Sequence, residues 1–231
     1  MKTIGLIGGM SWESSIEYYR IINETAKEKL GGLHSAKSLM VTVDFAEIEK
    51  LQHEDRWDEA AEILVKCAQD LEHGGADFIV LCTNTMHKLA DQITANVNIP
   101  FLHIADATAE KIVASGMKRI GLLGTRFTME HDFYKGRLIN NFGLDVLIPE
   151  KGDRDIVHRV IYDELVQGKI VDVSRDEYKR IMEELIAQGA EGIILGCTEI
   201  ELLAKLSDSC VPLFPTTLIH AVAAVEKALE E

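Results

Sequence analysis

Two stretches of this chain repeat each other in order, and that duplication constrains the fold more than any other feature. Residues 1–9 read MKTIGLIGG and residues 117–125 read MKRIGLLGT. Residues 75–86 (GADFIVLCTNTM) align without gaps on residues 189–200 (GAEGIILGCTEI). A proline between apolar residues follows each, Ile99-Pro100-Phe101 and then Val211-Pro212-Leu213. Three matches in one order at nearly constant spacing mark one half-domain present twice. A chain of 231 residues has room for two such units.

Each copy alternates short apolar runs with stretches of helical spacing. Strands are expected at 3–8, 38–44, 77–82, 99–104, 119–124, 144–148, 191–196 and 211–214. Helices are expected at 14–29, 57–73, 107–115, 130–141, 155–167, 174–188 and 217–230, where apolar residues recur at three and four. Strands that are apolar on both faces and separated by helices belong to parallel sheets covered on both sides. The expectation is an α/β protein of two pseudo-symmetric doubly wound half-domains, each with a mainly parallel sheet. Ligands of open parallel sheets sit beyond the carboxyl ends of the strands, so the active site is expected in the cleft between the copies.

Composition narrows the function. With a net charge of −14 the chain is no general binder of phosphate backbones, which requires basic patches, so no nucleic-acid partner is expected. No apolar run reaches the roughly 18 residues of a membrane span. The first residues form a strand-like run rather than a secretion signal, which points to the cytoplasm. Cys67, Cys82, Cys197 and Cys210 show neither CxxC nor zinc-type spacing, so free thiols and no metal site are expected.

Four loops after strands carry the polar chemistry: Gly8-Gly9-Met10-Ser11-Trp12, Cys82-Thr83-Asn84-Thr85, Gly124-Thr125-Arg126 and Gly196-Cys197-Thr198-Glu199. Where a helix starts, free backbone N–H groups and the helix dipole favour a carboxylate or phosphate and are expected to lower a thiol pKa. The Gly8-Gly9 pair also reads as a tight strand-to-helix turn. Neither GxGxxG nor a Walker-type GK[ST] is present, which argues against a dinucleotide or nucleoside triphosphate site.

The stretches GLIGGMSWES, VLCTNTMH and LGCTEI together resemble those of the aspartate/glutamate racemase superfamily, in particular its aspartate and broad-specificity amino-acid racemases. The resemblance runs through both copies and implies racemisation of a small amino acid without cofactor. In the family pattern two thiols flank the substrate Cα: one, as thiolate, takes the proton from one face and the other returns a proton to the opposite face. Many relatives carry cysteine directly before the Asn-Thr pair, where this chain has Thr83, with Cys82 one residue earlier. The gapless repeat sets Thr83 against Cys197 and Cys82 against Gly196. Neighbouring residues of an extended segment face opposite sides. The reading adopted is Thr83 toward the substrate and Cys82 packed behind it, with the opposite register as the alternative.

The resemblance also implies that Asn84, Thr85 and Thr198 bind the α-carboxylate and amino group, and that Thr125 and the Met10 backbone contact the substrate. Helix capping is the competing role for such threonines and asparagines. Gln52 and Glu164 lie in segments that some relatives use to read the substrate side chain, although solvated helix-surface positions are the plainer expectation. A Glu164 facing the substrate would repel a distal carboxylate. Arg126 is the nearest counter-charge in the motif loops. Glu199 is expected in the first turn of a helix, with orientation of a neighbour as the alternative, and His87 is expected to pack one helix turn beyond its strand, with electrostatic help to the site as the alternative. The resemblance implies a homodimer and a domain division at 1–97 plus 208–231 against 98–207. Two rival readings remain: an arylmalonate-type decarboxylase, which needs one cysteine only, and a non-catalytic amino-acid-binding protein.

Overall fold

The computed structural model describes residues 1–230. The chain divides into two compact units, Met1–Ile104 with the chain from His220 onward, and Ala105–Ile219. In the first unit the elements run β1 (Ile4–Gly8), α1 (Trp12–Leu30), β2 (Ser38–Thr42), α2 (Phe45–His53), α3 (Trp57–His73), β3 (Phe78–Leu81), α4 (Ala90–Thr94) and β4 (Phe101–Leu102). Then follow α5 (Ile104–Ala114), β5 (Arg119–Gly124), α6 (Arg126–Glu130), α7 (Lys135–Phe142), β6 (Asp145–Leu147), α8 (Lys151–Asp163), α9 (Asp172–Ala187), β7 (Gly192–Gly196), α10 (Ile200–Leu203), β8 (Leu213–Pro215) and α11 (Thr216–Leu229).

Each unit holds one four-stranded sheet, ordered β2-β1-β3-β4 in the first and β6-β5-β7-β8 in the second. All pairings are parallel. The duplication read from the sequence is therefore a duplication of topology. In each sheet the chain steps from the first strand to one side and then crosses back to the other. The strand order thus reverses between β1 and β3, and again between β5 and β7. Crevices of this kind are where open α/β sheets bind ligands. The loops holding Thr83 and Cys197 leave β3 and β7, at these two reversal points.

The central strands β1 and β3 of the first sheet are buried on both faces, and their residues alternate between two apolar clusters. Ile7, Ile79 and Leu81 pack with Ile48, Leu64, Cys67 and Leu71 under α2 and α3. Leu6, Phe78, Val80 and Cys82 pack with Tyr18, Ile22, Ala221 and Val225 under α1 and α11. Complete removal of such side chains from water stabilises a fold by about 1.5–3 kcal/mol each.

All eight expected strands form. The helix α2 was not anticipated. Its residues Phe45, Ile48 and Leu51 are spaced by three, and the Asp44 carboxylate accepts from Ala46 N–H at 3.1 Å to cap it. The unit bounds fall at 104/105 and 219/220, several residues beyond the 97/98 and 207/208 that the resemblance implied. The cause is strand pairing: β4 joins β3 in the first sheet and β8 joins β7 in the second, so each proline-led strand stays with its own copy. Among the described residues no helix is long and apolar enough to cross a membrane.

Candidate active-site loops

In the first unit the glycine pair after β1 is a backbone necessity. Gly9 has φ +93°, and a Cβ there would run into the backbone of Val43. Its N–H donates to Ser15 Oγ at 2.8 Å, and Ser11 caps α1 by accepting from Ser14 N–H at 3.3 Å. The Met10 side chain is buried in the cluster under α2 and α3.

Beyond β3 the chain turns sharply, with Thr83 N–H donating to Leu81 C=O at 2.9 Å. Thr83, Asn84 and Thr85 are all buried. A 3-10 turn follows at Thr85–Leu89, and the Asn84 side chain does not cap it. Cys82 is fully buried among apolar side chains, and that desolvation pushes its thiol pKa up, far from the neutral range. Gln52 is buried too, at the end of α2, where Nε2 meets Met86 Sδ at 2.8 Å beside the same loop. The solvated surface position expected for Gln52 does not hold, because α2 carries it inward.

His87 does more than pack. Its Nε2 accepts from Ile104 N–H at 3.2 Å, which leaves the proton on Nδ1 to be donated to Thr83 C=O at 2.7 Å. Both ring nitrogens are used by the neutral form, so a buried, uncharged imidazole braces the Thr83 backbone.

In the second unit Gly124 and Gly196 pair in register, so Thr125 and Cys197 leave their strands side by side. A Cβ at Gly196 would stand 2.8 Å from Leu123 C=O, which accounts for glycine there. Thr125 caps α6 by accepting from Thr128 N–H at 3.3 Å. Arg126 pairs with Asp155 at 3.0 Å on the exposed surface.

Cys197 is 8% exposed, and its thiol donates to Glu199 Oε2 at 3.0 Å. Thr198 Oγ1 donates to the same oxygen at 2.7 Å. Glu199 is itself buried, so it serves as an acceptor for its neighbours rather than as a solvated first-turn acid. Glu201 Oε1 accepts from Thr217 N–H at 3.0 Å. The buried Tyr178 hydroxyl donates to Val157 C=O at 3.1 Å and lies within the electrostatic reach of both Cys197 and Glu164. Glu164 ends α8 half-buried, with Oε2 closed off from solvent and without a hydrogen-bond partner.

The thiol pKa expected to fall at this strand end is instead pushed well up. Burial is the largest cause, followed by the charge and hydrogen bond of the Glu199 carboxylate; the Glu199 backbone N–H opposes them. The helix that should have lowered it, α10, is a single turn of four residues. The resting form of Cys197 is the thiol. The sequence reading undervalued Glu199 and His87; their signal was the spacing C-x-E at 197–199 and T-x-x-x-H at 83–87. Among the described residues no group of three or more His, Cys, Asp or Glu side chains is placed to hold a metal ion.

Two parallel sheets of identical strand order, each with a buried polar loop at its reversal point, define a duplicated α/β scaffold. The chain belongs to the Asp/Glu/hydantoin racemase family, whose model matches residues 7–224. It is similar over its full length to a solved structure of a candidate Asp/Glu racemase from Yersinia pestis, with 56% identity, 100% of each chain covered and a TM-score of 0.93. An aspartate racemase homologue from Pyrococcus horikoshii is 35% identical over 100% of both chains, with a TM-score of 0.86. The broad-specificity amino-acid racemase RacX of Bacillus subtilis is 25% identical over 179 residues, 74% of each chain.

Proposed function

We propose that this chain is an amino-acid racemase that works without pyridoxal phosphate, acting on aspartate or glutamate by two-base proton transfer at Cα. Cys197 serves one face of the substrate and Thr83 the other. The observation that supports this most is the division of labour between neighbours on β3 and its loop: Cys82 is sunk in the apolar cluster, while Thr83 occupies the position that the repeat sets against Cys197.

In one direction the base on the Thr83 side removes the Cα proton and the Cys197 thiol delivers its own to the opposite face. In the other direction Cys197, once its proton has passed to solvent, acts as thiolate base and holds the abstracted Cα proton as a thiol, while the Thr83 hydroxyl delivers its proton to the opposite face. The carbanion-like transition state places charge on the α-carboxylate. Asn84, Thr85, Thr198 and Thr125 are the donors we assign to that carboxylate and to the amino group, with Met10 contributing backbone contacts. Gln52 and Glu164 are assigned to the side-chain end. A half-buried Glu164 carboxylate disfavours a bare distal carboxylate, so glutamine- or asparagine-like substrates belong in the test set. The reading includes a homodimer, to be checked by light scattering.

The test is incubation with L-amino acids in D2O, following solvent deuterium at Cα and optical rotation, with Cys197→Ser as control. Deuterium incorporation accompanied by loss of rotation supports the proposal. Tight binding without exchange would reduce the chain to a binding protein, and release of carbon dioxide from a disubstituted malonate without racemisation would make it a decarboxylase.

A further inference from the structure

The Cys197 loop holds a feature that two-base chemistry alone does not require. One oxygen of a buried carboxylate, Glu199 Oε2, collects both the Cys197 thiol at 3.0 Å and the Thr198 hydroxyl at 2.7 Å. All three side chains are buried. Elsewhere in this chain carboxylates that accept side-chain hydrogen bonds take them mostly from arginine or lysine on the surface, as Glu59 does from Arg56 and Asp153 from Arg180. Here the donors are a thiol and an alcohol, neither of them cationic.

We infer that Glu199 is the positioning residue for the Cys197 proton: its carboxylate fixes the direction of the S–H bond and keeps the resting sulfur protonated, so that the protein idles as an acid on this side. The inference concerns the state of one thiol and goes beyond the proposed racemisation. It rests on that reading only for its catalytic consequence.

The geometry explains why the carboxylate acts this way. A thiol is a weak donor that water would normally satisfy. Buried and facing an ionised acceptor, it gains a charge-assisted hydrogen bond, which it loses on ionisation. The thiolate would then face an anion at contact distance in a medium of low dielectric, which is strongly unfavourable. The carboxylates near the sulfur work in the same sense. Glu201 on α10 adds like charge, and Tyr178 on α9, near both Cys197 and the half-buried Glu164, is a neutral phenol that supplies no positive charge. Only the Glu199 backbone N–H favours the thiolate. Thr198 has a part as well: its hydroxyl holds the same Oε2 and so fixes the acceptor against which the thiol is aligned.

The test is alkylation of Cys197 by iodoacetamide as a function of pH, read peptide by peptide in the full-length protein. Thiolate displaces iodide to give the carbamidomethyl thioether, so the rate follows the thiolate fraction. Exposed Cys210 is an internal reference, and buried Cys67 reports any opening of the fold. In the wild-type protein the alkylation midpoint of Cys197 should lie above that of Cys210. Glu199→Gln should lower it by about one pH unit or more, a roughly tenfold faster reaction near pH 7. Glu199→Asp keeps the charge and should hold the midpoint high, while Glu201→Gln should move it less than Glu199→Gln. A wild-type midpoint at or below that of Cys210, or an unchanged profile in Glu199→Gln with Cys67 still protected, overturns the inference. Racemase assays on the same samples decide the proposed function separately, because alkylation requires no turnover.

Discussion

The loop after β3 and the loop after β7 descend from one sequence, and their differences are chemical rather than architectural. His87 and Glu201 are equivalent in the repeat, and both hold a backbone N–H at the start of the next long helix. Ile104 N–H donates to His87 Nε2 at 3.2 Å and Thr217 N–H donates to Glu201 Oε1 at 3.0 Å. The scaffold needs an acceptor there and takes either an imidazole or a carboxylate. Two positions earlier along the motif the copies part further, with Thr85 in the first and Glu199 in the second. The first loop thus sets no carboxylate beside its weak acid, Thr83. The second surrounds a thiol with two carboxylates. Duplication kept the hydrogen-bond frame and left the local field free to diverge. Polar groups at equivalent strand tips therefore do not have equivalent proton affinities.

The comparison breaks most visibly at Cys197. Cys197→Ala should reduce Cα deuterium exchange by about a thousandfold or more, as expected when the main proton carrier is removed. Exchange that survives at wild-type rate would take the second loop out of the chemistry.

Replacing Thr83 by cysteine makes the two tips chemically alike. In the wild type kcat should differ between the L-to-D and D-to-L directions, by about tenfold or more, because a hydroxyl is a far poorer base than a thiol. The kcat/KM values must still match, since enantiomers have equal free energy in water. Thr83→Cys should bring the two kcat values closer, because each face of the substrate then meets a thiol in place of one thiol and one hydroxyl. Equal kcat in the wild type, together with an inert Thr83→Ala, would refute the role of Thr83.

Much of this was legible in the sequence. The repeat gave two sheets of the same order, and alternating patterns located every strand. The loops stood out because small and polar residues followed apolar runs. What stayed hidden required tertiary packing. The helix α2 has only three apolar turns and a short span, so Gln52 looked like surface. The thiol of Cys197 looked activated because a strand end normally leads into a helix with a useful dipole, and the single turn of α10 together with a buried Glu199 cannot be read from spacing. The reading that put Cys82 behind Thr83 used alternation and the repeat; the structure places Cys82 in the apolar cluster with Phe78 and Val80.

A smaller effect separates the two units in acid. In the first unit Tyr18 donates to His220 Nδ1 at 2.8 Å, and His220 Nε2 donates to Leu102 C=O at 3.0 Å. The repeat sets Tyr134 and Thr108 at these places in the second unit, and threonine cannot titrate. Burial pushes the His220 pKa down to about 4. A folded-state value below the unfolded one means that the unfolded chain binds the proton more readily. The stability from neutral His220 is therefore complete above about pH 6.5 and is lost as pH falls toward 4, about 3 kcal/mol in all. Between pH 7 and roughly pH 5 urea unfolding should show wild type losing about 2 kcal/mol more than His220→Gln. Parallel pH dependences would mean that His220 is not the acid-sensitive group.

The smallest expected effect is the sharpest test of register. Cys82→Ala removes one sulfur from a packed apolar cluster and should cost about 1–2 kcal/mol of stability, measured by urea unfolding. Its hydrogen bond adds little, because Sγ stands 3.9 Å from Val80 C=O. Burial keeps this thiol protonated at neutral pH, so it has no proton-accepting form to lose. Deuterium exchange should remain within about twofold of wild type. If exchange instead collapses in a variant that still folds, the working residue of the first copy would be the one whose partner in the second copy is Gly196, a residue with no side chain pressed against Leu123 C=O. The two strand tips would then not correspond, and the symmetry argument for Thr83 would fail with them.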